Sequence, residues 1–471
     1  MANKFRLIVA TFLMLVFADA ARAATYFVSG TGSDSNPGTS IDKPFRNISQ
    51  AAFRTQPGDF VFVMNGTYSS FLVPNAGTSS AYITYAAYPG HKPVIRLTST
   101  DYWGIGVVAG RNYIVIDGFE VIGVANTLTL EQAKARPASD PAISSFCIVV
   151  GGNPGDPTTH HVVVQNNRVS YCGGTGIDAQ HSDYVYVLNN VVYGTSWWSR
   201  MGGSGISIYE ATDSDSNTGY KILVMNNTVY NNAQYLTSVG LGIDIITDGQ
   251  GILIDDNMNT QNAPHVPYRG RTLIANNIAF NNGSAGILTF LSSNVDIINN
   301  TSYMNNTVLN RGEIGAIDSN AITIRNNILY AGKSKAVSQL GNATNVTWDT
   351  NLQFGGNARA ITGPSDIFVD PLFVNPSIDP AVANFMLKAG SLAIDSGSSL
   401  LAPDKDFAGV PRPQGLKIDR GAFEFSGSTP LPQPTATPAP APTATPRPTV
   451  TPTPAPTPKW PGPKRPRSRS R

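Results

Sequence analysis

The sequence predicts an all-β solenoid, a right-handed single-stranded parallel β-helix with an N-terminal cap. Three observations predict it. An apolar strand followed by Asn-Asn recurs at Asn166-Asn167, Asn189-Asn190, Asn226-Asn227, Asn276-Asn277, Asn299-Asn300 and Asn326-Asn327. A Gly-Ile phrase falls between these pairs, at Gly176-Ile177, Gly205-Ile206, Gly251-Ile252 and Gly286-Ile287, with Gly315-Ala316 as a variant. The shortest spacing between pairs is 23 residues, from Asn167 to Asn190 and again from Asn277 to Asn300. Three short strands and three turns fill that length, which is one coil. A β-propeller needs about forty residues per repeat, and a β-sandwich would lack the ladder of Asn pairs.

Each part of the repeat has a physical reason. Runs such as Val162-Val163-Val164 and Val185-Tyr186-Val187 place alternate side chains inward, where they fill a narrow core. Asn tolerates a left-handed backbone at a turn, and its amide can bond to its counterpart one coil on. A solenoid grows by adding coils, so the length of the chain does not demand a second domain.

The elements follow in chain order. Residues 1–23 read as a signal peptide: Lys4 and Arg6 are basic, Leu7 to Phe17 is apolar but too short for a bilayer, and Ala21-Arg22-Ala23 offers a cleavage site. Residues 24–426 are read as the β-helix domain. It opens with a strand at Tyr26-Phe27-Val28-Ser29, a short helix near Ile48 to Arg54 and a strand from Asp59 to Met64. This is a cap that hides the first open edge. Leu128 to Ala135 has helical composition and reads as an insertion in an early coil. Cys147 and Cys172 are 25 residues apart, close to one coil, so they either pair or stay as two buried thiols.

Residues 427–471 are almost all Pro, Thr, Ala and Ser, a composition that forms an extended spacer. It ends in a basic tip with Lys464, Arg465, Arg467, Arg469 and Arg471, which either touches anionic wall polymer or is solvated. That tip dominates the small net charge of +2, so the charge does not point to nucleic acid. No later stretch is long and apolar enough for a membrane span. The expectation is an exported monomer, held at the cell surface if the tail binds there, whose partner is an extracellular polysaccharide.

Loop length marks the candidate site. The spacing rises to 37 residues from Asn190 to Asn227 and to 50 from Asn227 to Asn277. The excess lies at Trp197 to Gly203, Ala211 to Gly219, Gln234 to Gly249 and Met258 to Arg271, all flanking the Gly205 and Gly251 strands. Long loops on one side of a rigid scaffold are where function gathers. If Ile206, Ile208, Ile252 and Ile254 point inward, then Ser207, Tyr209, Leu253 and Asp255 point out. Asp178, Gln180 and His181 precede them, and Leu288 and Phe290 follow.

One patch thus collects Glu210, Asp248, Asp255 and Asp256, with Asp213 or Asp215 in a flanking loop. Clustered carboxylates repel unless a cation joins them, and hard oxygen donors suit Ca²⁺. A structural calcium, or solvated acids with no metal, fits the same residues. The run Asp213 to Gly219 superficially resembles a calcium loop but lacks its terminal Glu. Candidate sugar-binding groups are Tyr209, Trp197, Tyr268 and Arg271, although each aromatic can equally serve packing.

The opening Tyr26-Phe27-Val28-Ser29-Gly30-Thr31-Gly32-Ser33-Asp34-Ser35-Asn36-Pro37-Gly38-Thr39, with Pro44-Phe45 and Pro57-Gly58-Asp59, resembles that of pectate-lyase-like β-helix proteins, most closely the family nine polysaccharide lyases. The far end, from Ala393-Ile394-Asp395-Ser396-Gly397 through Asp406-Phe407-Ala408-Gly409-Val410-Pro411-Arg412-Pro413 to Asp419-Arg420-Gly421-Ala422-Phe423-Glu424, resembles the closing segment of many secreted β-helix proteins. The resemblance implies β-elimination on a uronate, with Ca²⁺ neutralising the carboxylate while a base takes the adjacent proton. Glu210, Asp248, Asp255 and Asp256 are then the expected calcium ligands, and Lys221, Arg269 or His181 the base. The family's base is a lysine on the helix face, and the outward rows here carry none. Two other readings fit the residues. Glu210 with Asp256 or Asp255 forms an acid–base pair for a glycoside hydrolase, or the patch is structural in a non-catalytic sugar-binding protein.

Overall fold

The computed structural model describes residues 23–427. The leader and the Pro/Thr-rich spacer lie outside the described residues, apart from Ala23 and Gly427 at their edges. Three parallel sheets wind around one axis. The first has eleven strands, from Thr25–Val28 to Thr344–Asp349. The second has ten, from Gly66–Tyr68 to Leu352–Gly355, and the third has ten, from Phe71–Leu72 to Ala358–Arg359. Every coil adds one strand to each sheet, so sheet neighbours are separated in sequence by a full turn of the solenoid.

Inward residues repeat in register because the strand period is two. Ile177, Ile206, Ile252, Ile287 and Ile314 form one column of the third sheet, all fully buried. Burying each such side chain contributes about 1.5–3 kcal/mol. The core is therefore a stack of equivalent layers, each held by its two neighbours.

The Asn pairs make the turn between first and second sheets. The first Asn of each pair is left-handed, with φ between 55° and 58° from Asn166 to Asn326. The second is buried and builds the ladder. Asn190 Nδ2 donates to Asn227 Oδ1 at 3.0 Å, and Asn227 Nδ2 donates to Asn277 Oδ1 at 3.0 Å. The backbone N–H of each second Asn donates to the same oxygen, at 2.9 Å in both coils. The series runs unbroken from Asn167 to Asn351. A second ladder, absent from the expectations, follows the second sheet. Asn232, Asn282 and Asn305 repeat the pattern, and Asn305 Nδ2 and the Asn305 N–H both reach the buried Glu313 carboxylate.

Both ends are closed. Helix Ile48–Ala52 buries Ile48, Ala51 and Ala52 against the N-terminal edge. After the last coil the chain returns along the second sheet, where Phe373, Phe385, Leu387 and Phe423 pack on Tyr230, Phe280 and Tyr303. The closing motif is structural: Arg412 and Glu424 form a buried ion pair at 2.6 Å, and the Arg420 guanidinium donates to carbonyls of Asn351, Ser365 and Ser396. Cys147 and Cys172 are paired, which resolves the two alternatives and ties successive coils together. The insertion forms helices Leu130–Lys134 and Pro141–Ser144. They build a satellite core of Ala133, Ile143, Trp198 and Leu236. No helix among the described residues is long and apolar enough to cross a membrane.

Candidate active site

Outward rows of the third sheet carry the site. One row runs Asp178, Ser207, Leu253, Leu288 and the next Gln180, Tyr209, Asp255, Phe290. The residue after each strand turns left-handed: His181, Glu210 and Asp256 have φ of 45°, 44° and 47°. Their N–H groups donate to Tyr209, Asp255 and Phe290 carbonyls one coil on. His181, Glu210 and Asp256 therefore stack as a column at strand spacing, about 4.8 Å.

The column is closely connected. His181 Nδ1 lies 3.6 Å from Glu210 Oε2. The Glu210 and Asp256 carboxyls face each other on adjacent coils. Asn262 Nδ2 donates to Glu210 Oε1 at 2.9 Å and to the Tyr209 hydroxyl at 2.8 Å. Asp256 accepts the Thr260 and Gln261 N–H groups at 2.7 to 2.9 Å and the Thr260 hydroxyl at 2.9 Å, which fixes the start of the loop carrying Asn262.

Burial sets the protonation states. It raises the Glu210 and Asp256 carboxyls, although hydrogen bonds from Asn262 and Thr260 offset part of the effect. Burial, and then the neighbouring Asp248, Asp256, Glu210 and Asp178, hold Asp255 far above the usual carboxylate range. Burial lowers the His181 imidazole despite the opposing pull of Glu210, so it favours the neutral form. Burial also raises the Tyr209 phenol, reinforced by Glu210, so its proton is retained.

The four acids expected to hold calcium lie near one another, around Asp255. Asp248 accepts the Thr247 hydroxyl and lines a cavity together with Asp255. Asp256 is already engaged by its own loop, and among the described residues no three His, Cys, Asp or Glu side chains form a metal-binding group.

Three carboxylates do converge elsewhere, on an ammonium. Lys221 Nζ lies 2.6, 3.0 and 3.0 Å from Asp183, Asp213 and Asp215, and its side chain is fully buried. It sits over the Tyr184 and Tyr268 rings. Burial opposes the charge, but the three carboxylates outweigh it and drive the Lys221 pKa upward. That corrects the expectation of Lys221 as a base, because an ammonium so held does not accept a proton. Tyr268 is also corrected: it is buried, and its hydroxyl donates to Asp183 at 2.7 Å. Arg269 Nε donates to Asp213 at 3.0 Å, so it too serves this node, away from the column. A permanently charged guanidinium is in any case a poor base.

Two other expectations move. Trp197 donates its indole N–H to the Asn231 carbonyl and packs on Tyr171 and Trp198, beside the satellite core. It faces no sugar-binding row. Arg271 stands on the first sheet, where its guanidinium grips Asp296 at 2.6 and 2.8 Å. Of the expected residues, the structure brings together His181, Tyr209, Glu210, Asp255 and Asp256. It adds Asn262, which lies in a loop without periodicity and carried no sequence signal.

A family model for the Pel9A-like, right-handed β-helix region matches residues 26–327. No curated protein matches the chain. Among solved structures, pectate lyase Pel9A aligns with a TM-score of 0.54 at 19% identity, covering 85% of this chain and 96% of that one. A complex of XylC with xylose aligns at 0.45 and 13% identity, covering 85% and 98%. A rhamnogalacturonan lyase aligns at 0.43 and 15% identity, covering 76% and 92%.

Proposed function

The chain belongs to the Pel9A-like, right-handed β-helix family, and from that premise we propose that it is a polysaccharide lyase acting on a uronic-acid-containing polymer. The observation that carries this reading is the column of His181, Glu210 and Asp256 beside Tyr209 on the outward face of the third sheet. β-Elimination needs a base for the proton next to the carboxylate. It also needs a donor for the leaving oxygen and a group that neutralises the carboxylate. Neutral His181 is the base in this reading, and Tyr209, which retains its proton, is the donor. In this reading a proton held between Glu210 and Asp256, together with the Asn262 amide, faces the uronate carboxylate and takes the part expected of calcium.

The hydrolase reading fits less well. Acid and base in a glycosidase stand about 5–9.5 Å apart, whereas Glu210 and Asp256 are hydrogen-bonded to each other. The Cys147–Cys172 disulfide supports an oxidising, extracytoplasmic setting.

The test is absorbance of the unsaturated uronate product, with the whole protein and a panel of polygalacturonate, rhamnogalacturonan and alginate, with and without chelator. A chelator-insensitive rise, lost in His181→Ala and Tyr209→Phe, is expected. A rise abolished by chelator would return calcium to the mechanism. New reducing ends without absorbance would move the chemistry to hydrolysis. Silence in both assays would leave a carbohydrate-binding protein.

A further inference from the structure

Three outward faces run along the solenoid, and two of them are covered. The returning chain lies on the second sheet, with Phe373 and Phe385 against Tyr230, Phe280 and Tyr303. Loop residues Leu241 and Ile243 stand over the third, where the outward Leu253 and Leu288 are less than 5% exposed.

The first sheet is different. Val115, Val163, Tyr186, Leu223 and Leu273 follow one another in a single outward row, and Thr84 continues it to Phe60. Phe62, Leu188 and Met225 stand in the row beside it. The alternate residues Ile116, Val164, Val187, Val224 and Ile274 point inward and are fully buried. The outward ones are only half-buried, and Phe60 is 40% exposed. Among the described residues, none of these outward side chains joins an apolar cluster of the fold. A contiguous apolar surface left open in this way marks a place of contact. From the strand of Phe60 to that of Leu273 is six strand spacings, about 29 Å. Asp117 is the one charged residue in the two rows over that length, and Gln165 and Asn166 donate to it at 2.9 and 2.7 Å.

The chain ends its folded course beside one end of this stripe. Asn276, Asn299 and Asn326 close strands of the first sheet, and their amides donate to the carbonyls of Lys405, Asp419 and Ser398 in the closing segment. The Phe425 N–H in turn donates to the Asp419 carboxylate at 2.6 Å. Gly427 therefore follows at the corner where the strand of Leu273 turns. Residues 428–446, next in the chain, are mostly Pro, Thr and Ala and carry no charged side chain. They match a stripe that is itself almost free of charge. A Pro-rich segment favours an extended helix rising about 3.1 Å per residue, so about ten residues span the stripe. Helices of this kind dock on apolar and aromatic grooves at low ordering cost. The segment is also tethered, which raises its effective concentration at the stripe far above that of any free partner.

We propose that the apolar stripe on the first sheet is the docking surface for residues 428–446 of the same chain, laid along it from the corner at Asn276 toward Phe60. The Pro/Thr-rich segment then continues the covering of the solenoid that the closing segment begins on the second sheet. It also carries Arg447 and the basic tip toward the N-terminal end. The placement is independent of the chemistry at the third sheet.

The test is photo-cross-linking of the whole protein with benzoylphenylalanine placed in turn at Tyr186, at Phe60 and at Thr67. Thr67 is the control: it is exposed and lies in the coil of Phe60, but on the second sheet. Products are sized and mapped by mass spectrometry. The probes at Tyr186 and Phe60 are expected to join residues 428–446 within a single chain, and the probe at Thr67 is expected to lack that product. Leu223→Asp, which puts a charge on the stripe without touching the core, is expected to remove the Tyr186 product. The Phe60 probe stands in should the Tyr186 variant not fold. Products of doubled mass overturn the proposal and make the face an interface between copies. An equal yield at Thr67, or no product within residues 428–446, overturns it as well.

Discussion

Asn227 is the clearest place to test what holds the coils in register. Its Oδ1 accepts the Asn190 N–H at 2.9 Å and Asn190 Nδ2 at 3.0 Å, while its own Nδ2 donates to the Val187 carbonyl at 2.8 Å and Asn277 Oδ1 at 3.0 Å. All of this is fully buried. In Asn227→Ala the Asn190 backbone N–H loses its acceptor, Asn190 Nδ2 keeps only the Val164 carbonyl, and the Val187 carbonyl and Asn277 amide oxygen each lose one donor. An orphaned buried donor costs about 1–3 kcal/mol, and each further hydrogen bond has a net worth of about 1 kcal/mol. The expected loss is therefore about 3–5 kcal/mol. The control is the residue before it. Asn226 is left-handed at φ 58°, and its amide oxygen has no partner. Asn226→Gly suits that conformation and should stay within about 1 kcal/mol of the parent. Urea denaturation followed by far-ultraviolet circular dichroism reads both midpoints. Equal midpoints for the two variants would refute the idea that the ladder, rather than the apolar columns, fixes the turn.

Two further predictions follow from buried charge. Lys221→Met leaves Asp183, Asp213 and Asp215 facing one another without their cation. Breaking a buried pair in this way costs about 3–5 kcal/mol, to be read as a lowered denaturation midpoint; an unchanged midpoint would contradict the structural role. Asp178, pushed up to about 7 by burial, holds a proton in the folded chain that the unfolded chain releases near its ordinary value of 3.8. Its contribution to stability is complete below about pH 4 and is lost as the pH rises through about 7, a change on the order of a few kcal/mol. Asp248 and Glu313, raised to about 6 and about 7, act in the same direction. Asp178→Asn should therefore flatten, without abolishing, the fall in stability over that range. A slope identical to the parent's would show that Asp178 is ionised throughout.

The coils were legible because their pattern is local and repeated. Alternation fixes which residues face inward, and the Asn pairs mark the turn, so the columns through Ile206 and Ile252 and the ladder through Asn227 could be read directly. The second ladder was equally present, as Asn231-Asn232 and Asn281-Asn282 five residues after the first pairs. It passed unread because the strand between, Thr228–Tyr230, has only three residues and shows little periodicity. The stack of His181, Glu210 and Asp256 was legible for the same reason as the core: each follows the last outward position of its strand.

What periodicity does not encode is the path of a long loop. Lys221 follows Tyr220 at the start of a first-sheet strand whose Ile222 and Val224 point inward, so it should face out. It is buried because two loops fold over it. Asp213 and Asp215 come from the loop after Glu210, while Tyr268 and Arg269 come from the end of the loop that begins at Asp256. Trp197 went astray for a related reason, since it packs beside the satellite core that the insertion builds, where the Ala125 carbonyl accepts the adjacent Trp198 indole N–H. The two loops fastened at Lys221 both flank the column of His181, Glu210 and Asp256. One leaves it directly after Glu210, and the other carries Asn262, which touches both Glu210 and Tyr209. Lys221 neutralises the acids that anchor these loops, and the second loop in turn brings the Thr260 and Gln261 N–H groups to Asp256 and the Asn262 amide to Glu210.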